Sequence, residues 1–151
     1  MLQFLPIHSP LIVDIRDAII AGSTGRMAMI LLIYFGPYIG LPRIDAVGLL
    51  GSLVAPDKET AVTLGGAIHF SVGIVFAIIY VVLWSVGVGS ATWYWGIIFG
   101  FVHGLLLLSF LIVLMRVFPP LTSYFNKPSV MLAVLLNHVV YGLVVAVVYT
   151  T

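Results

Sequence analysis

Five polar side chains that lie in otherwise apolar stretches are the ones that could do chemistry in this sequence. They are Arg26, His69, His103, Asn137 and His138. A neutral imidazole nitrogen is a ligand for haem iron, so two facing histidines could hold a haem, and one could bind the magnesium of a chlorin. His103 and His138 each lie about ten residues into apolar stretches that run in opposite directions, which places both near the middle of a membrane. The sequence therefore offers these two histidines as a candidate cofactor-binding pair.

The small residues around this pair allow two interpretations. Gly100 and Gly104 flank His103, and Gly142 follows His138 by one helical turn, which would leave clearance for a flat macrocycle. The same glycines also let helices touch, and each histidine would then hydrogen-bond a carbonyl or hydroxyl group of its neighbour. Such bonds contribute about 0.6 kcal/mol on average in membranes and are common. We therefore expect no bound cofactor, and a haem or chlorin is the alternative.

A repeated pattern also involves two of the histidines. The two copies are His69, Gly73, Ala77 and Tyr80, and His138, Gly142, Ala146 and Tyr149. On an α-helix these positions share one face, and reuse of the pattern indicates a packing face and favours duplication of a helical hairpin. The two tyrosines are expected at a membrane interface. The predicted helix-packing residues are His69, Gly73, Ala77, Gly100, Gly104, Gly142 and Ala146.

Arg26 is the basic residue inside the first apolar stretch. Its long side chain could extend outward as an interfacial anchor, or bind a lipid phosphate, a quinone carbonyl or an acidic partner subunit. No Asp or Glu lies inside the predicted spans, which argues against a proton pump and against paired-carboxylate catalysis. We therefore expect no enzymatic activity, no metal site, and a lipid- or partner-binding role for Arg26.

The composition requires that these residues lie in a membrane. The chain is 62% hydrophobic and 7% charged, whereas a soluble domain has about 25% charged residues. Four stretches are long enough to cross a bilayer, at about 18–36, 60–84, 93–117 and 129–149. A segment at about 45–54 is too short to cross and is expected in the interface or folded back against the bundle. The predicted fold is all-α, a single membrane domain of four transmembrane helices in two hairpins with a short interfacial helix in the first connection.

The basic residues predict the orientation of these helices. Arg43, Lys58, Arg116 and Lys127 lie in or beside the first and third connections, which the positive-inside rule places in the cytoplasm. Both termini would then lie outside, and the expected location is a bacterial inner membrane. The net charge of +1 without a basic run excludes nucleic acid as an expected partner.

Several short motifs carry a resemblance that covers most of the chain. They are Gly40-Leu41-Pro42, Leu50-Gly51-Ser52, His69-Phe70 with Gly73, Ile79-Tyr80, Gly100 with His103, and His138-Val139-Val140-Tyr141-Gly142. With these motifs the sequence resembles an uncharacterised family of small bacterial four-helix membrane proteins. The resemblance implies a fold and a topology but no reaction, and Arg26 is not part of it.

Four helices with short connections and no water-soluble domain can contact other proteins mainly through the lateral surface within the membrane. The leading hypothesis is therefore a non-catalytic accessory subunit of a larger bacterial membrane complex, with a respiratory or photosynthetic electron-transfer assembly as the expected host. Its partners would be other integral membrane subunits and lipids. One alternative is a protein that binds haem, chlorin, quinone or lipid through His103 and His138. Another is a small oligomeric transporter or channel, which needs a polar pathway from Arg26 to the histidines.

Overall fold

The structure, a computed structural model, describes residues 13–55, 57–117 and 125–149, and within these ranges the chain is helical and has no strand. The helices are α1 (Ile15–Phe35, continued by a 3-10 turn at Gly36–Ile39), α2 (Ala46–Ser52), α3 (Lys58–Ser85), α4 (Trp93–Val117) and α5 (Pro128–Tyr149). The segments containing α1, α3, α4 and α5 are long and apolar enough to cross a membrane. The predicted all-α class is confirmed, and the long helices begin and end within three residues of the expected bounds.

Aspartate side chains begin the first three helices. Asp14, Asp45 and Asp57 each accept a hydrogen bond from the backbone amide three residues later, at 3.1, 2.8 and 2.9 Å. An N-cap of this kind satisfies an amide that has no partner inside the helix. Hydrogen bonds from the amide and hydroxyl of Thr60 lower the pKa of Asp57, so the carboxylate stays charged at the positive end of the α3 dipole.

The described helices pack in an order that leaves α3 and α4 apart. α5 packs against α4 on one side and α1 on the other, α1 packs against α3, and α3 packs against α2. Although a short connection joins α3 to α4, these two helices do not pack along their length. They meet through long side chains, since Phe76 and Tyr80 of α3 reach His103 of α4.

Small residues set the spacing inside each hairpin. A Cβ atom at Gly22 of α1 would lie 2.9 Å from the Cβ of Ala77 in α3. The equivalent contact in the second hairpin joins Gly96 of α4 to Ala146 of α5, where the distance would be 2.6 Å. In both hairpins the repeated small residues of the second helix therefore lie against a glycine of the first helix.

α2 is folded back onto α3, so of the two positions expected for this segment the structure has the packed one. A Cβ atom at Gly51 would overlap the Ala61 carbonyl, and one at Gly65 would overlap the Val47 carbonyl. These glycines let the backbones of the two helices touch.

Adjacent glycines allow a controlled test of this contact. Replacing Gly65 by alanine should lower the free energy of unfolding by about 1–2 kcal/mol relative to Gly66→Ala, because it forces α2 away from α3. A Cβ atom at Gly66 would meet nothing within 4 Å. Both variants gain the higher helix propensity of alanine, and only Gly65→Ala has the overlap with α2. Unfolding in mixed detergent measures the difference. Equal stability of the two variants would show that α2 does not depend on this contact.

Among the described residues, two apolar clusters form the core on either side of the bundle's centre. One lies towards the end that carries Asp14 and Tyr149 and includes Ala18, Trp84 and Val145. The other lies towards the first and third connections and includes Ile44, Leu111 and Phe125.

Candidate functional site

The five polar residues singled out in the sequence all line one cavity near the middle of the bundle. Arg26, His69, His103, Asn137 and His138 are each no more than 5% exposed. Arg26 lies eleven residues into α1, and His69 lies eleven residues into α3, which runs in the opposite direction. Nη1 of Arg26 is 3.3 Å from Nε2 of His69, so the structure places the two side chains at the same depth.

Arg26 is held inside the bundle and does not extend to an interface. Its Nη1 lies 3.3 Å from Nε2 of His69 and 3.5 Å from the sulfur of Met29, and its guanidinium carbon lies 4.9 Å from the centre of the Tyr141 ring. A guanidinium only donates hydrogen bonds, so Nε2 of His69 accepts. His69 is therefore a neutral imidazole with its proton on Nδ1. That Nδ1 and the Nε of Arg26 have no hydrogen-bond partner among the described residues.

Two glycines make room for this arrangement. A Cβ atom at Gly73 would overlap Cγ and Nε of Arg26, and one at Gly25 would lie 2.8 Å from the Tyr141 ring. The Tyr141 hydroxyl donates a hydrogen bond to the carbonyl of Gly73. Gly73, expected as a helix-packing residue, therefore also provides the space that Arg26 occupies.

His103 and His138 are in direct contact. Their ring centroids are 4.7 Å apart with an interplanar angle of 73°, and Phe76 stacks on His103 at 3.7 Å. Nδ1 of His138 donates to the Val134 carbonyl at 2.8 Å, and Nδ1 of His103 is 3.1 Å from the Tyr80 hydroxyl. An edge-to-face contact leaves no gap for a macrocycle between the rings. The two histidines as arranged do not fit the axial positions of one haem.

The glycines next to this pair serve close packing of α4 and α5. A Cβ atom at Gly100 would overlap the His138 carbonyl, and one at Gly104 would lie 2.8 Å from the Leu135 side chain. A Cβ atom at Gly142 would overlap the Gly96 carbonyl. Clearance for a flat ligand is therefore absent at these three positions.

Tyr80 and Tyr141 contact the polar cluster from outside the cavity lining, a role that was not predicted from the sequence. Tyr80 was expected at the membrane interface, but it is 3% exposed and bonds His103. Tyr141 lies completely buried beneath Arg26. Tyr141 lies three residues after His138, so the two side chains share one helix face. This spacing could have indicated from the sequence that Tyr141 lies near the histidine.

Asn137 contributes an unpaired acceptor to the same cluster. Its Nδ2 donates to the Ala133 carbonyl at 2.8 Å, which fixes the orientation of the amide because a carbonyl only accepts. The remaining oxygen, Oδ1, is buried and has no hydrogen-bond partner in the part of the chain that the structure describes.

The cavity has a volume of about 360 Å³ and one polar end. Its other walls are apolar side chains, among them Leu49, Leu107 and Phe125. Two further lining residues of α4, Leu106 and Phe110, are 62% and 60% exposed. In the described part of the chain, the cavity therefore connects the polar cluster with the outer surface of α4.

A comparison with known protein families gives one match over nearly the whole chain. The model of a family of unknown function (DUF6789) matches residues 12–151. No curated protein and no solved structure matches the chain. Membership of a family without an assigned function, which the sequence motifs predicted, is confirmed.

Proposed function

The chain belongs to the DUF6789 family of unknown function, and from its site we propose that it is a membrane-embedded protein that binds one lipophilic molecule by its polar head. The observation that carries this proposal is the half-open cavity, with apolar walls and a buried polar end formed by Arg26, His69, His103, Asn137 and His138. Ligand sites in proteins are typically concave, mostly apolar and about 300–1,000 Å³ in volume, with a few polar groups that orient the ligand.

The unpartnered atoms support a ligand with a polar head. Nε of Arg26, Nδ1 of His69 and Oδ1 of Asn137 are buried without hydrogen bonds to the described residues. Leaving such a group unsatisfied costs about 1–3 kcal/mol each. A bound head group that accepts from the first two atoms would recover part of this cost, and one with a hydroxyl group could also donate to the third.

The apolar walls favour a lipid or a quinone over a flat macrocycle. The cavity is lined by side chains of all five described helices, and the His103 and His138 rings touch each other. This geometry supports a quinone or a lipid, and it does not support a haem held between the two histidines.

Direct binding tests the proposal. The full chain in mild detergent is incubated with dodecanoic acid, dodecanol or a decyl-substituted benzoquinone, and complexes are counted by native mass spectrometry. We expect at least one of these probes to bind saturably with one molecule per chain. Absence of saturable binding for all three would remove the proposed function.

A second candidate is the accessory-subunit role, with an electron-transfer complex as the proposed host. It is favoured by the broad face of α4 that the rest of the described chain leaves uncovered, which includes Phe101, Leu105 and Val113. Purification from the native membrane in gentle detergent tests this role. Other integral membrane subunits should co-purify, and recovery of the chain alone would contradict it.

We also propose that the first and third connections face the cytoplasm of a bacterial inner membrane, because the basic residues cluster there. The chain has no cysteine, so single-cysteine variants report on sidedness. An impermeant maleimide applied from outside should label Ser90→Cys and not Lys58→Cys. The reverse labelling pattern would invert the orientation.

A further inference from the structure

We propose that the head group bound in this cavity is an anion, the carboxylate of a single-chain fatty acid, with Arg26 as its counter-ion. This inference rests on the proposed function, because it names the ligand class of the same cavity.

The charge of Arg26 favours an anionic ligand. Arg26 is 3% exposed, and its guanidinium contacts the neutral groups of His69, Met29 and Tyr141. The chain has five acidic residues, all within the described ranges and all exposed at helix ends or in the first turn: Asp14, Asp17, Asp45, Asp57 and Glu59. A buried charge inside a membrane is costly unless it is paired, so the chain itself leaves this cation without a counter-ion.

The hydrogen-bonding groups around that charge also accommodate a carboxylate. Nε of Arg26 and Nδ1 of His69 are two buried donors without partners among the described residues. A carboxylate has two oxygens that only accept, and its bonds to guanidinium are among the stronger ones in proteins. A neutral hydroxyl could accept from both donors and also donate to Oδ1 of Asn137, but it would leave the charge of Arg26 unpaired.

The depth and size of the cavity favour a single acyl chain. Arg26 lies about 12 Å inside the span expected to begin at residue 18, and its side chain is buried in the bundle, too deep for a phosphate that must stay with a hydrated lipid head group. A fatty acid has no other polar part, so its carboxylate can reach that depth. At roughly 30 Å³ per non-hydrogen atom, the cavity of about 360 Å³ holds about 12 such atoms, which matches one acyl chain of medium length. A longer tail would extend between α3 and α4 into the bilayer.

The test compares two probes with the same chain and different heads. Dissociation constants for dodecanoate and dodecanol, corrected for partition into detergent, are measured for the wild type, Arg26→Gln and Arg26→Lys at about pH 8, where a carboxyl with an ordinary pKa of about 4.3 is ionised. We expect the wild type to prefer dodecanoate by at least about tenfold. Arg26→Gln should lose the preference and still bind dodecanol, whereas Arg26→Lys should keep part of it.

The possible outcomes separate this inference from the proposed function. Equal binding of dodecanoate and dodecanol by the wild type would overturn the anionic head group and leave the cavity as a lipid or quinone site. Failure of dodecanoate, dodecanol and the benzoquinone alike would remove both proposals. The wild-type comparison needs no variant, so poor folding of Arg26→Gln would not hide the result.

Discussion

Replacing Gly73 by alanine is expected to weaken dodecanoate binding by at least about tenfold, which corresponds to about 1.4 kcal/mol. The added Cβ atom would overlap Cγ and Nε of Arg26, so the guanidinium must leave its place between His69 and the Tyr141 ring. The ligand would lose its counter-ion, and His69 would lose its donor. Titration of the variant with dodecanoate measures the effect, and far-ultraviolet circular dichroism checks that the helices remain.

Two controls isolate the displacement of Arg26 as the cause. Gly66→Ala makes the same chemical change two helical turns earlier in α3, where a Cβ atom meets nothing within 4 Å, and it should bind dodecanoate like the wild type. In the Arg26→Gln background, Gly73→Ala should have little further effect, because both changes remove the same contact. Binding by Gly73→Ala at wild-type strength would show that the position of Arg26 does not matter for the ligand.

Much of the fold follows from the sequence because membrane helices are set by length and composition. The span expected at 93–117 has the same bounds as α4, and Asp45 begins α2 as a capping residue should. The polar residues within the spans also indicated the position of the site, because a polar side chain in a membrane helix rarely faces lipid. All five residues chosen on this basis line the same cavity.

The contacts within the site could not be predicted from periodicity. All faces of these helices are apolar, so the pattern does not reveal which way each helix is rotated. Gly73 has the spacing of a packing residue, and only the structure reveals that the gap it leaves is filled by Arg26. Tyr80 ends a stripe where an interfacial tyrosine is expected, but the structure buries it against His103.

Replacing Leu107 by tryptophan is expected to weaken binding of dodecanoate and dodecanol alike by at least about a hundredfold. Leu107 lines the cavity from α4, so the larger indole would fill space that the acyl chain needs. Leu105 lies on the same helix, is 43% exposed and is not part of the lining, which makes Leu105→Trp the matched control. Both variants add the same apolar surface to α4, and they differ in whether that surface enters the cavity.

The most direct test of the binding cavity is the ratio of dissociation constants for these two variants, measured with both probes in the same detergent. We expect Leu105→Trp to bind one molecule per chain with wild-type affinity and Leu107→Trp to bind at least about a hundredfold more weakly, a difference of about 2.7 kcal/mol. Equal affinities for the two variants would contradict a ligand site in this cavity.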